Sequence, residues 1–341
     1  MRRHWAFSLV VVGIVTAITS TTLAQDQLAP VMTKAKLAKE DRDSIENAVA
    51  ERVRRLGDAG NEKDRGKATE KLVAPIKTQG ATKAALDAYA DACATQLGTL
   101  VLKDSFDTAF NAVRVLLELD NQNAAPALAA ALKSKYAAVR YQGARGLQLL
   151  HPKLKGEKDK SKAALQLLGD AGAAETDKVV LEAIYQAINF YSDVPDFQSG
   201  DDCAHALNTI FAARAKRMTG GPFDELVDEP AFEAAAASYA SASPEEQVKL
   251  AQYLSLFLSH AVNRYFAGDT AEEYLPTLAG LIKKMEDTLR TMIKASGKDA
   301  PQTTISGELG SKASPAKKEA PARSALQNLL AVLKGEPWNL S

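Results

Sequence analysis

Apolar residues recur three and four positions apart through most of this 341-residue chain, a spacing that an α-helix turns into one continuous face. Leu37, Ile45, Val49, Val53 and Leu56 form such a stripe in residues 35–56. Leu275, Leu278, Ile282, Met285, Leu289 and Met292 form a stricter one further on. Alanine fills the space between, as in residues 124–131 and 234–237, while aromatics make up only 6 % and β-branched clusters are scarce beyond the first two dozen residues. Alanine is the best helix former and sheets draw on the residue types that are rare here, so an all-α fold of closely packed helices is expected.

The first 24 residues stand apart. Arg2, Arg3 and His4 precede an apolar run over residues 5–18, and Thr22-Leu23-Ala24 places small residues three and one before a cut that would leave Gln25 as the new N-terminus. This is the pattern of a cleavable export signal, and it places the mature protein in the periplasm or outside the cell. Residues 5–23 also approach the roughly 20 apolar residues that span a bilayer, so retention as an anchor is the alternative and the one route to membrane contact. Removing the signal leaves 317 residues with 40 basic against 42 acidic side chains, a net charge of −2 that gives no general attraction to nucleic acid.

The mature chain reads as helices joined by short loops: residues 35–56, 64–76, 82–102 and 105–119 first, each bounded by glycine or a polar pair. Residues 124–132, a turn at Lys133-Ser134-Lys135, and residues 136–150 then make a helical pair whose second member carries Val139-Arg140, Gly143 four after the valine and Leu147 eight after it. The pattern resembles a HEAT repeat. Similar registers recur at Val180, Ile184 and Ile188, at Ala109, Val113 and Leu117, and at Asp64, Arg65, Ala68 and Leu72; Leu168-Gly169-Asp170-Ala171-Gly172 resembles the family's turn between repeats. The resemblance covers residues 50–190 and implies stacked hairpins, each incomplete alone, that form an extended binding surface. Gly143 and Gly146 would let the two helices approach, with Leu147 and Leu150 filling the seam.

Residues 25–190 are therefore read as a HEAT-like α-solenoid and residues 191–296 as a C-terminal helical bundle. In the latter, Ser243-Pro244-Glu245-Glu246 opens a long helix that turns back at Gly268-Asp269. Residues 297–322, rich in Lys, Ala, Ser, Pro and Gly, read as a flexible linker. Residues 323–341 read as an amphipathic helix and tail in which Leu326, Leu329, Leu330, Leu333 and Trp338 either dock on the body or capture a partner.

No constellation for catalysis, metal or cofactor binding emerges, so no catalytic, metal or cofactor residue is assigned. His151, His205 and His260 are far apart. Cys203 and His205 are two apart on a helix and point to different sides, and Asp193, Asp196, Asp201 and Asp202 lack calcium-loop spacing. Cys93 and Cys203 either pair as a disulfide, which an oxidising compartment permits, or are separate core residues. Lys153, Lys155, Lys158, Lys160 and Lys162 form a basic cluster in a loop between repeats. Arg140, Arg145, Lys153 and Lys155 are the candidate partner contacts. The expected function is non-enzymatic: a scaffold that binds a protein or cell-envelope component. The alternatives are an envelope enzyme or small-ligand carrier with Asp201, Asp202 and His205 between array and bundle, and a component that self-associates through the last helix or the seam over residues 275–292.

Overall fold

Polar side chains open the helices where the apolar stripes begin. Asn61 Oδ1 accepts from the Asp64 amide at 2.9 Å, Ser105 Oγ from that of Thr108 at 3.4 Å, and Asp177 Oδ1 from those of Val179 and Val180 at 3.0 and 3.1 Å. Each cap satisfies a backbone N–H that has no partner within its own helix.

The computed structural model describes residues 28–218, 224–268, 270–311 and 315–340, and the export signal read in residues 1–24 lies outside them. The chain belongs to the all-α class. Ala29–Met32 (α1) precedes the hairpin Lys39–Asp58 (α2) and Glu62–Val73 (α3). Lys83–Leu100 (α4) pairs with Phe106–Glu118 (α5), and Ala125–Ala131 (α6) with Ala137–Leu149 (α7). A one-turn helix, His151–Leu154 (α8), leads into Lys158–Ala174 (α9) and Lys178–Ile188 (α10). Another, Phe190–Asp193 (α11), leads into Gly200–Met218 (α12) and Glu229–Tyr239 (α13). Pro244–Phe266 (α14) pairs with Leu275–Ala295 (α15), and Ile305–Gly310 (α16) with Pro315–Leu333 (α17).

The hairpins stack in two layers. In the first, α2, α4, α6, α9, α12 and α14 each pack on the next; in the second, α3, α5, α7, α10, α13 and α15 do the same. α16 continues the second layer from α15, while α17 lies on α14 and closes the first. The same stacking runs across residue 190, so the helices assigned by sequence to a separate bundle extend the array. The four registers read from sequence fall on α3, α5, α7 and α10, all in the second layer, where Leu72, Val113, Leu147 and Ile184 are buried between hairpins. Each such side chain contributes about 1.5–3 kcal/mol relative to remaining exposed.

Glycine sets the closest seams. A Cβ built at Gly143 would stand 2.8 Å from Leu128 O, and one at Gly146 only 2.6 Å from Leu128 Cδ2, so α6 and α7 touch nearly backbone to backbone as their small residues suggest. Gly169 and Gly172, by contrast, do not form a turn. They lie inside α9 and face α12, where a Cβ would come within 3.0 Å of Ala206 Cα and 2.4 Å of Ile210 Cδ1. Their value is close approach, with Ser161, Ala164, Leu165 and Leu168 buried along the same helix.

The C-terminal region departs furthest from its sequence reading. Of the segment read as a linker, residues 297–311 and 315–322 are described and are not free: a buried carboxylate takes hold of the first part. Glu286, on α15, accepts from the amides of Ile305 at 2.9 Å and Ser306 at 3.0 Å and so caps α16, while Arg290 donates to the carbonyls of Pro301 and Thr303. α17 starts at Pro315 and tolerates Pro321 while burying Ala322, Ala325, Leu326, Leu329 and Leu333. Trp338 docks beyond it, its Nε1 donating to Tyr239 Oη at 2.7 Å. The apolar faces on which self-association would depend are thus covered within the chain.

Gly143→Ala is expected to cost about 1–3 kcal/mol through overpacking against Leu128. Gly66→Ala, inside α3 with nothing within 4 Å of the point its Cβ would occupy, should instead add up to about 1 kcal/mol. Thermal unfolding of the two variants checks this, and shifts of the same sign would contradict close packing at the α6–α7 seam.

Candidate functional site

The first layer has one short member. α6 has 7 residues where its neighbour α9 has 17, so α6 stops at Ala131 while α9 continues alongside to Ala174. The gap is a cleft of about 530 Å³ whose walls include Leu132, Leu167 and Ala171, with Lys133 at its rim and Arg140 and Glu175 at its base. That volume lies within the range of ligand and peptide pockets.

An ion pair joins the hairpins beneath the cleft. Arg140 donates from Nε to Glu175 Oε2 at 2.7 Å and from Nη2 to Oε1 at 2.9 Å, and its Nη1 reaches Ser134 O at 3.0 Å. Glu175 Oε1 also accepts from the amides of Thr176 and Asp177, both at 2.8 Å. Burial pushes the Glu175 carboxyl up, but the Arg140 bond and the two amides outweigh it and hold the pKa below the ordinary glutamate value. Arg217 on α12 donates to the carbonyls of Glu175, at 2.5 Å, and Ala173, at 2.6 Å, which fastens the same turn from the other side.

Exposed apolar side chains flank the cleft. Phe106, at the start of α5, is 42 % exposed; it stacks on Phe110 at 5.4 Å and meets Tyr136 edge-on at 5.3 Å, with Leu102 beside it in the preceding turn at 49 % exposure. On the far side Val179, at the start of α10, is 61 % exposed. These residues lie at the N-terminal ends of second-layer helices, along the edge of the array where each hairpin turns.

Only part of the sequence-derived contact set lies here. Arg140 is at the cleft, with three of its five guanidinium N–H groups taken up by Glu175 and Ser134. Arg145 is exposed on α7 with Gln148 as its partner at 3.2 Å. Lys153 and Lys155 lie beyond the opposite end of α7, more than about 13 Å along the axis from Arg140, and pair with Asp120 and Asp196. Lys158, Lys160 and Lys162, read as part of a loop, ride on the first turns of α9. The cleft itself is not legible in the sequence; the one available signal is the brevity of the 124–132 helix beside a longer neighbour.

The other candidates are held apart. Cys93 on α4 and Cys203 on α12 are both free and buried. Three helix-to-helix steps of about 8–10 Å separate their helices in the first layer, against the roughly 7 Å limit between Cα atoms for a disulfide, so the core alternative holds. Burial pushes the Cys93 thiol up to about 12, which leaves it unreactive. Asp201 accepts from the Ser243 amide at 2.9 Å, Asp202 stands 3.9 Å from Lys162, and His205 contacts Glu246 at 3.1 Å; none of them lines the cleft. Asp196 pairs with Lys155 and Asp193 with His151, whose ring is fully buried, stacked on Phe190 and hydrogen-bonded to Ala187 O. Among the described residues no group of three or more His, Cys, Asp or Glu is placed to hold a metal, and no helix is long and apolar enough to cross a membrane.

No family model matches the chain, and no curated protein matches it. A solved structure from the computational design of self-assembling cyclic protein homooligomers is 16 % identical and covers 86 % of this chain and 92 % of its own. Its TM-score against this chain is 0.24.

Glu175→Gln is expected to lower stability at neutral pH by about 3 kcal/mol, because it leaves the Arg140 charge without its partner. A carboxyl whose pKa is depressed by folding stabilises the protein above its unfolded pKa and ceases to as the pH falls through its folded one. The difference between parent and variant should therefore close once the pH drops below the ordinary glutamate range. Urea unfolding across pH measures it, and a gap that widened on acidification would contradict the ion pair.

Proposed function

We propose that this protein is an exported, non-enzymatic HEAT-like array that binds a protein or cell-envelope component along its stacked hairpins. The observation that carries the reading is the continuous two-layer stack, which presents long helical faces and a turn edge. Val139-Arg140 and the repeated second-layer registers support the HEAT-like assignment, with Arg140 tying one hairpin to the next. The pattern of residues 1–24 supports export, with cleavage after Ala24.

Balanced charge argues for a protein partner over an anionic polymer. The basic cluster is divided among local acids, with Lys153, Lys155, Lys160 and Lys162 facing Asp120, Asp196, Glu157 and Asp202, so little positive field is left for a polyanion.

Photo-crosslinking residues placed singly at Lys133, at Arg145 and at Leu256, an exposed leucine on α14, in the exported protein test the reading in native envelopes. A discrete adduct from at least one position is expected. If no position yields one, the binding role fails.

A further inference from the structure

The turn edge has features that narrow its partner. Arg140 uses three of the five N–H groups of its guanidinium on Glu175 and Ser134, and its side chain, 19 % exposed, faces the cleft with two remaining. Those two N–H groups suit a carbonyl. Apolar surface lies on both sides of the cleft, at Leu102 and Phe106 and at Val179. From α5 to α10 is two helix-to-helix steps, about 20 Å, which an extended chain rising about 3.3 Å per residue covers in about six residues.

Charge along the rim is polarised. Lys135 and Lys178 are taken up by Asp104 and Asp224. Among the described residues Lys103, Lys133 and Asp170 are exposed without an ion-pair partner, the two lysines toward α5 and α6 and the aspartate on α9. An occupant that complements this rim carries negative charge at one end and positive charge at the other.

We propose that this edge binds an extended segment of a partner protein, about six residues long, with an apolar side chain near each end. Its acidic end lies over Lys103 and Lys133 and its basic end over Asp170. The inference rests on the binding-array reading above and adds the face and the partner's chemistry. The apolar side chains cover Phe106 and Val179, a backbone carbonyl at mid-segment accepts from Arg140, and the intervening side chain enters the cleft between Leu132 and Leu167.

Selection of heptapeptides from a random display library on the purified exported protein tests this directly. The enriched peptides are expected to share two apolar positions four to six apart with opposite charges at their ends. Their affinity, read by fluorescence anisotropy, should fall at least tenfold in the double variant Phe106→Ser/Val179→Ser. Val179 is 61 % and Phe106 42 % exposed, so that variant should stay folded, with a melting temperature lowered by no more than about 4–8 °C. Leu149→Ser, which removes an exposed leucine from the other end of α7, should leave affinity within twofold. Failure of any peptide to enrich, or equal binding by the double variant, overturns the proposal. Crosslinking that traps a partner from Arg145 or Leu256 while no peptide enriches would reject this edge and leave the array reading standing. Peptide binding together with an envelope adduct from Lys133, at the rim of the cleft, would support both.

Discussion

Close approach between neighbouring helices is the constraint on which the rest of this structure depends. An all-helical chain with few aromatics has little bulk to fill wide gaps, so its helices must come near enough for short side chains to meet. Small residues make that possible at specific points: Gly143 against Ala131 within the third hairpin, and Gly169 against Ala206 and Gly172 against Ile210 between α9 and α12. At these points the dispersion contacts and the dry burial of leucine and isoleucine beside them are gained together. The abundance of alanine is a packing requirement as much as a helix preference.

Polar contacts then set how each hairpin sits on the next. Arg65 with Asp107, Arg140 with Glu175, Asp201 with the Ser243 amide and Asn208 with Glu246 all join successive hairpins. Tyr185 and Arg214 converge on the buried Asp228 in the same way, from α10 and α12. Individually the exposed ones contribute little, about 0–1 kcal/mol, but the buried ones exclude alternative registers because a slipped neighbour would leave a charge without a partner. The cleft follows from an interruption of this order. Where α6 ends early, the first layer lacks a wall, and the Arg140–Glu175 pair bridges the gap from beneath.

The parts of this arrangement legible in sequence are those governed by local periodicity. The second-layer helices are readable because valine, isoleucine and leucine mark their buried faces, as at Val139 and Leu147 or Val180 and Ile184. α13 continues the same spacing with Ala231, Ala235 and Tyr239, all buried, but alanine and tyrosine carry a weak apolar signal that hides the continuation. α9 is obscured for a related reason. Its early lysines suggest a solvated loop and its glycines suggest a turn, whereas the glycines are there to meet the backbone of α12. Arg140 is recognisable as a residue of interest, but its partner Glu175 lies 35 positions away and nothing local points to it.

The sequence by itself determined that this chain is helical, that its helices come in short-looped pairs, and that its glycines and alanines mark tight packing, because propensity and a 3.6-residue period act within a few neighbours. Only the tertiary structure decided that the stacking continues past residue 190, that Glu286 and Arg290 order the segment read as a linker, that the two cysteines stay apart, and that a cleft opens beside α6. Each of those outcomes rests on contacts between hairpins, many of them 31 to 46 residues apart in the chain, whose energy exists only once both helices are in place.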